Sequence, residues 1–146
     1  MKIVLDSGAI MPTRAHEWDA GLDLYTPEDV IVRSASSWPF GEVNIGSATI
    51  DTGVHVEIPE GYVGFIKSKS GLNVNHGLTA EGVIDAHYTG SVRVKLYNHS
   101  HEPYQFKAGD KIAQLVFLPC VLPKLELVDS LEETDRGDSG FGSTGR

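Results

Sequence analysis

The chain has 146 residues, 40% of them apolar, which is enough for one hydrophobic core of ordinary domain size. Its 20 acidic and 12 basic residues give a formal charge of -8, which argues against broad electrostatic binding to nucleic acid. No apolar run reaches the roughly 18 residues of a membrane span, and the single cysteine, Cys120, can form no internal disulfide. We therefore expect an unexported, cytoplasmic single-domain protein with neither a nucleic-acid nor a membrane partner.

Short segments rich in β-branched and aromatic residues recur between Gly, Pro, Asn and Asp, whereas helical periodicity is hard to find. In chain order, these segments predict strands at 3–5, 22–25, 30–33, 48–51, 54–58, 62–67, 91–97 and 124–128. Many short strands without long helices are typical of an all-β jelly roll, sandwich or barrel.

The predicted strand 91–97 has the clearest alternation of apolar and polar residues. Val92, Val94 and Leu96 share one face, which predicts one buried side and one side that faces solvent or a ligand. The run 112–118 is also apolar apart from Gln114, but the prolines at 119 and 123 predict that no long regular strand forms there.

Two segments fit a β core poorly. Ser34 to Ser47 is rich in Ser and Gly around Trp38, Pro39 and Phe40, which predicts an ordered surface excursion or a contact loop. Residues 132–146 contain one large apolar side chain, Phe141, and cannot offset an ordering entropy of about 1 to 2 kcal/mol per residue. We expect a domain over 1–131 and a mobile arm over 132–146 that closes over a ligand or another chain.

Several polar residues flanked by glycine follow the predicted strands. Backbone N–H groups beside glycine, hydroxyls and basic side chains hold phosphate oxygens, so this set suits a polyphosphate ligand. Each residue alone also has an ordinary role, such as capping a turn or satisfying backbone groups. The set comprises Asp23, Ser70, Asp85, Tyr88, Gln114 and the Gly-Ser-Thr-Gly tail.

Taken together, these residues fall into five blocks whose order and spread over nearly the whole chain resemble the trimeric dUTP pyrophosphatases (dUTPases). The blocks are 20–24, 67–72, 82–90, 109–115 and 136–145. The resemblance implies a β jelly roll and a homotrimer whose three active sites lie at subunit interfaces. It also implies that the arm of one subunit closes over a site built by its neighbours.

The resemblance implies hydrolysis of dUTP to dUMP and pyrophosphate by attack of water on the α-phosphorus. This reaction keeps uracil out of DNA and supplies dUMP for thymidylate synthesis. Asp85 matches the general base that positions and deprotonates the water. Mg²⁺ is the implied cofactor, held on the triphosphate, and Asp23 matches the residue that orients its hydration shell without a direct bond to the metal.

The same resemblance assigns residues to the two ends of the nucleotide. The implied phosphate contacts are Lys69, Ser70, Gly71, Gln114, Arg136, Gly142, Ser143 and Thr144. The implied sugar and base contacts are Tyr88, Thr79, Gly82, Ile84 and Phe141. Many members carry Arg where this chain has Lys69, which replaces a bidentate fork with a point charge.

Base selection is expected from the backbone of a hairpin around Thr79 to Ile84, whose N–H and C=O groups can complement uracil. Which of Thr79, Ala80 and Glu81 faces the base stays open. Tyr88 is expected to pack under the deoxyribose and exclude a 2′-hydroxyl, and Phe141 is expected to stack on the uracil.

Two other functions are weighed against this one. A dCTP deaminase shares the implied fold and trimer but needs a glutamate near the base, for which Glu81 is the candidate. A dUTPase that also acts as a regulator would bind a protein partner, and Ser34 to Ser47 is the segment available for that contact.

Overall fold

The structure is a computed structural model that describes residues 1–37 and 43–137, and this part of the chain is nearly all β. Its strands are β1 (Ile3–Leu5), β2 (Gly21–Tyr25), β3 (Val30–Val32), β4 (Ser36–Ser37), β5 (Val43–Asn44), β6 (Gly46–Asp51), β7 (Val54–Val56), β8 (Tyr62–Lys67), β9 (Leu78–Ile84), β10 (Arg93–Asn98), β11 (Tyr104–Phe106) and β12 (Lys111–Pro119). A single helix among the described residues, α1, spans Ser70–His76. The predicted all-β class is confirmed.

Six strands form one antiparallel sheet in the order β2-β12-β8-β9-β10-β6. Three two-stranded sheets accompany it among the described residues, with the pairs β1-β7, β11-β3 and β4-β5. Strands distant in sequence are therefore neighbours in space: β12 lies between β2 and β8, and β10 lies beside β6. This arrangement is consistent with the jelly-roll-like fold that the sequence predicts.

The core lies on the inner face of the six-stranded sheet and beneath the small sheets. Leu24 and Leu115 come from the large sheet, whereas Val32, Val54 and Phe106 come from the small ones, and all are at most 1% exposed. On β10 the buried positions alternate with exposed ones, as predicted. Covering the inner face leaves the outer face of the large sheet available for polar side chains.

Two strand predictions are wrong. Lys111–Pro119 forms the longest strand of the described residues, despite Pro119. The proline is tolerated because it is the last residue, where pairing with β2 has already ended at Val116 and only β8 remains alongside. Conversely, residues 124–128 form no strand, because no neighbouring strand pairs with them within the described chain.

Helix α1 was not predicted, since its seven residues bury no side chain fully and therefore show no apolar periodicity. It ends at Gly77, where the N–H group bonds back to the carbonyl of Asn73. Among the described residues, no helix has the length and apolar character needed to cross a membrane.

The expected hairpin around Thr79 to Ile84 is also wrong, because these residues form the continuous strand β9. The excursion predicted at 34–47 contains the short pair β4 and β5 and runs into the first two residues of β6. Trp38, Pro39 and Phe40 lie outside the described residues.

Candidate active site

A row of polar side chains crosses the outer face of the large sheet. Asp23 on β2 lies opposite Gln114 on β12, and Gln114 lies opposite Lys67 on β8. Lys67 in turn lies opposite Glu81 on β9, with 2.5 Å between its Nζ and the Glu81 Oε1. Directly opposed residues share a face, so four strands contribute to one polar surface.

Asp23 holds two lysines at the β2 end of this row. Its Oδ1 lies 2.5 Å from the Nζ of Lys69, and its Oδ2 lies 2.7 Å from the Nζ of Lys111. Burial by itself would raise the pKa of Asp23, but hydrogen bonds from Lys111 and Lys69 outweigh it and hold that pKa below its usual value. The hydrogen bond to Asp23 also raises the pKa of Lys111. The result is an ionised cluster with one net positive charge.

A β-bulge brings Lys111 to this face. The register shifts between Lys111 and Ala113, which pair with Tyr25 and Leu24 respectively, leaving Ile112 as the extra residue. Tyr25 and Leu24 point to opposite faces, so Lys111 and Ala113 do as well. Lys111 therefore points outward with Asp23, whereas Ala113 is buried.

A cleft of about 310 Å³ lies beside the Asp23 cluster. Its lining residues are Ala15, Asp19, Ala20, Gly21, Asp23, Lys69, Gln114 and Val116. A Cβ on Gly21 would collide with the side-chain amide of Gln114, so glycine at this position lets that amide lie across β2. Asp19 brings a second carboxylate to the cleft, and its Oδ2 accepts the backbone N–H of His16 at 2.9 Å.

Ser70 and Gly71 form the exposed first turn of α1, directly after Lys69. A Cβ on Gly71 would meet no atom within 4 Å, which leaves open space above this turn. The structure thus brings Asp23, Lys69 and Gln114 together, with Ser70 and Gly71 adjoining Lys69 in the chain.

Asp85 and Tyr88 form a second group. Asp85 is the exposed residue that follows β9, and it lines a cleft of about 670 Å³ together with Tyr62, His87 and other residues. The Tyr88 hydroxyl donates a hydrogen bond to the Ser91 carbonyl at 3.0 Å. A Cβ on Gly90 would collide with the Tyr88 ring, so glycine permits this ring to fold back over its own loop.

The strands β9 and β10 separate between the two groups. Their pairing ends at Ala80 and Leu96, while Glu81 to Ile84 pair only with β8. The N–H and C=O of Ala80 both bond to the Ser68 hydroxyl on the β8 side. Because backbone groups alternate along a strand, those of Glu81 and Val83 point into the gap facing β10.

The two groups do not meet within one chain. Asp85 lies three strands away from β2 and four residues beyond the row that contains Asp23. Strand spacing and rise place the two residues on the order of 15 to 20 Å apart. A ligand bound to one group by its phosphates would not bring a water molecule to the other in the same chain.

The other predicted site residues are spread between these groups. Thr79 lies on β9, where its Oγ1 is 2.9 Å from the Nε2 of His99, and Ile84 is buried at the end of that strand. Arg136 lies in an exposed turn near the end of the described chain. The predicted site residues that lie outside the described residues are Phe141, Gly142, Ser143 and Thr144.

Sequence reasoning missed Asp19, which lines the 310 Å³ cleft, and Lys111, which belongs to the Asp23 cluster. Lys111 stands inside the block 109–115, but regular alternation along a strand would place Lys111 and Gln114 on different faces of the sheet. Asp19 lies immediately before the first block, and its proximity to Asp23 in the sequence was the available signal.

Comparison with known proteins places this geometry in a family. The family model described as dUTPase matches residues 7–145. The deoxyuridine 5′-triphosphate nucleotidohydrolase of Clostridium acetobutylicum is 38% identical, covering 97% of this chain and 92% of that protein. The Saccharomyces cerevisiae protein of the same name is also 38% identical, covering 99% and 94%. The solved dUTPase of Staphylococcus bacteriophage 80alpha with dUPNHPP has a TM-score of 0.85 at 31% identity, covering 99% and 98% of the two chains. These matches confirm the resemblance of the five blocks, and the chain belongs to the dUTPase family.

Proposed function

We propose that this protein hydrolyses dUTP to dUMP and pyrophosphate. The observation that carries the proposal is a polar cleft where Asp23 holds two lysine ammonium groups, together with a separate exposed carboxylate, Asp85, in a chain that matches the dUTPase model over residues 7–145. This combination provides separate groups for a polyphosphate and for an attacking water.

The cleft beside Asp23 would receive the triphosphate. Lys69 lines the cleft and Lys111 lies beside it, so that with Asp23 they leave one net positive charge, and the Gln114 amide adds a hydrogen-bond donor. A ligand with a charge of roughly minus four needs such donors. We assign the further phosphate contacts to Ser70, Gly71, Arg136, Gly142, Ser143 and Thr144.

The residues of the cleft fit Mg²⁺ held mainly by the substrate. Asp19 and Asp23 both line the cleft, and carboxylate oxygen is a ligand atom that Mg²⁺ prefers. No cluster of three or more His, Cys, Asp or Glu side chains that could hold a metal occurs among the described residues. A solved phage phi11 dUTPase variant contains a structural Mg(II) ion. When bound, the ion would neutralise charge on the phosphate oxygens.

Asp85 would act as the general base. It is exposed, so its carboxylate can accept the proton of a water molecule by a direct hydrogen bond. The turn from Asp85 to Tyr88 is closed by a backbone hydrogen bond of 3.2 Å, which keeps the base beside the group proposed to contact the sugar.

The gap between β9 and β10 would select the base. Backbone N–H and C=O groups of Glu81 and Val83 face this gap, and uracil offers a complementary edge. Cytosine would leave a buried polar group unpaired, at a cost of about 1 to 3 kcal/mol. Of the three candidates at 79–81, this geometry favours Glu81, with Gly82 and Ile84 holding the strand to β8.

Tyr88 would contact the sugar, and Phe141 would stack on the base. The Tyr88 hydroxyl bonds to the Ser91 carbonyl and Gly90 leaves room for the ring, so the ring would exclude a 2′-hydroxyl by contact alone. Stacking of an aromatic ring on a base contributes about 1 to 3 kcal/mol.

Assembly of three copies would unite the two groups. The separation of Asp23 from Asp85 within one chain requires a second chain to complete a site. The segment 121–131 also leaves Leu122, Leu125 and Leu127 at least 80% exposed, as expected for residues covered by a neighbouring copy. We assign 1–131 to the domain and 132–146 to an arm that closes over a neighbour's site.

The test is hydrolysis of dUTP, dCTP, dTTP and UTP, assayed in parallel with Mg²⁺ by pyrophosphate release. We expect rapid release from dUTP alone, and removal of Mg²⁺ with a chelator should suppress it. Equal release from all four nucleotides would contradict the proposal that the gap between β9 and β10 selects the base. Ammonia release from dCTP would identify a deaminase instead.

A second role is favoured by the structural neighbours. Solved phage dUTPases similar to this chain control the transfer of virulence genes. We propose Ser34 to Ser47 as the protein-contacting segment here, since β4 pairs with β5 and the Ala35 N–H beside β4 donates a hydrogen bond of 2.9 Å to the Ser100 carbonyl. Replacing 38–42 with two glycines should preserve dUTP hydrolysis and abolish control of virulence-gene transfer, measured as the frequency of that transfer. Retained gene-transfer activity would contradict this role.

A further inference from the structure

His55 links the loop that follows β9 to the loop that follows β1. Its Nδ1 lies 2.7 Å from the Thr89 carbonyl oxygen, and its Nε2 lies 3.2 Å from the Asp6 Oδ2. Thr89 directly follows Tyr88, so this histidine contacts the segment that carries the proposed general base, Asp85, and the proposed sugar contact, Tyr88. His55 itself lies outside the five dUTPase blocks.

Both partners of His55 can only accept hydrogen bonds. A peptide carbonyl has no proton to donate, and an ionised carboxylate has none either. Neutral imidazole carries one N–H group, so it can serve one of the two contacts and turns a lone pair toward the other. The two contacts together therefore require the doubly protonated imidazolium.

The charges around His55 favour that form. The Asp6 carboxylate is in direct contact, Asp51 lies close enough to act through space, and Lys2 and Glu57 line the same cleft and pair with each other. The hydrogen bonds to the Thr89 carbonyl and to Asp6 raise the pKa of His55 above its usual value of 6.5. The bridge is therefore complete below that raised pKa and loses one bond as pH rises through it.

The loop that His55 contacts is anchored firmly at both ends. Ile84 pairs with Gly64 before the loop, and the N–H of Val92 bonds to the Val54 carbonyl at 2.8 Å after it. Between these ends, the Thr89 carbonyl directly follows Tyr88, the residue proposed to contact the sugar. A bond at this point can decide where the Tyr88 ring lies.

We propose that the His55 imidazolium is a positioning residue that sets the Tyr88 loop for deoxyribose selection. The inference rests on the proposed function. Neutral imidazole keeps its one N–H for the ionised Asp6 carboxylate, which is the stronger acceptor, and Nδ1 then turns a lone pair toward the Thr89 carbonyl. This repulsion should loosen Thr89 and move Tyr88 away from the 2′ position. Selection of dUTP over UTP should then weaken as pH rises, while the fold stays intact.

The experiment is the ratio of kcat/KM for dUTP to kcat/KM for UTP as a function of pH. Both substrates share the triphosphate and Asp85, so titration of those groups cancels in the ratio. We expect the wild-type ratio to fall by roughly 3- to 10-fold as pH rises through the His55 pKa, the scale of one hydrogen bond. His55→Gln should show the lower ratio throughout, without the step.

A second variant tests the same bridge without altering the histidine. Asp6→Asn removes the charge that faces Nε2, so the step should move to lower pH. His101→Gln changes an exposed histidine in the turn before β11 and should leave the profile unchanged. An unchanged step in either His55→Gln or Asp6→Asn, or an equal loss of the step in His101→Gln, would overturn the proposal.

A readout independent of activity separates this inference from the proposed function. The ring protons of His55, followed by NMR, should titrate above 6.5 in wild type and at lower pH in Asp6→Asn. Titration of His55 at or below its ordinary value would overturn the bridge even if dUTP is hydrolysed. Failure to hydrolyse dUTP, with His55 titrating as expected, would instead overturn the proposed function.

Discussion

The Nζ of Lys111 lies 2.7 Å from the Oδ2 of Asp23, a residue that is only 4% exposed. The other carboxylate oxygen is paired with Lys69, so both oxygens of Asp23 are occupied by ammonium groups. One aspartate thereby holds two cations beside the cleft in the positions where a triphosphate would need them. The cost of orienting these flexible side chains is met during folding rather than on binding.

Asp23→Asn should destabilise the protein and weaken substrate binding. The amide cannot balance two ammonium groups, and we expect a loss of about 1 to 3 kcal/mol in the free energy of unfolding at pH 7. The pKa of Asp23 is below 3.8, so its stabilisation is present above the unfolded-state pKa and is lost as pH falls through the folded-state pKa. The difference between wild type and variant should therefore shrink in acid.

Urea unfolding at pH 7 and pH 3, at one protomer concentration, checks this prediction. The matched control is Asp29→Asn, which removes an exposed carboxylate paired with Lys107 at 2.7 Å. That change should have little effect. Equal destabilisation by the two substitutions would show that the Asp23 cluster has no special role.

Asp85→Asn should remove the general base while preserving its shape. We expect turnover of dUTP to fall by at least about 100-fold, since that is the usual effect of losing a general base. Binding of a non-hydrolysable dUTP analogue, measured by calorimetry, should stay close to wild type. Near-normal turnover would exclude Asp85 from this role.

Tyr88→Ala should admit UTP more than it harms dUTP, because it removes the ring proposed to meet a 2′-hydroxyl. Steady-state kinetics on the two nucleotides measure the change in preference. Tyr88→Phe is the matched control, since it keeps the ring and loses only the hydroxyl bond to Ser91. An unchanged preference in Tyr88→Ala would place sugar discrimination elsewhere.

Deletion of 136–146 should leave the assembly intact and reduce turnover severely, since the arm is expected to bring phosphate donors and to exclude water. Phe141→Ala should have a milder effect, equivalent to about 1 to 3 kcal/mol in binding or turnover. Sedimentation and kinetics measure the two effects separately. An intact trimer with unimpaired turnover would contradict the lid role, and dissociation would show that the arm is structural.

Much of the fold could be predicted because the relevant signals are local. Val94 and Leu96 alternate with Arg93 and Lys95, and a period of two fits a strand with one buried face, as the structure confirms. The five blocks likewise predicted the family, since each is a short contiguous run. By contrast, residues 124–128 have a strand-like pattern but no partner strand in the described chain, and pairing cannot be read from one segment.

The sequence by itself determined the all-β class, the family and most of the residue types available for chemistry, because these depend on composition, short-range periodicity and contiguous motifs. Only the tertiary structure decided which of those residues meet. Regular alternation would place Lys111 and Gln114 on opposite faces of β12, but the bulge at Ile112 turns both toward Asp23. Asp85, which follows β9, is kept apart from Asp23 on β2 because β12 and β8 lie between these two strands in the sheet. Such relationships depend on strand order and register, which arise from packing among distant segments.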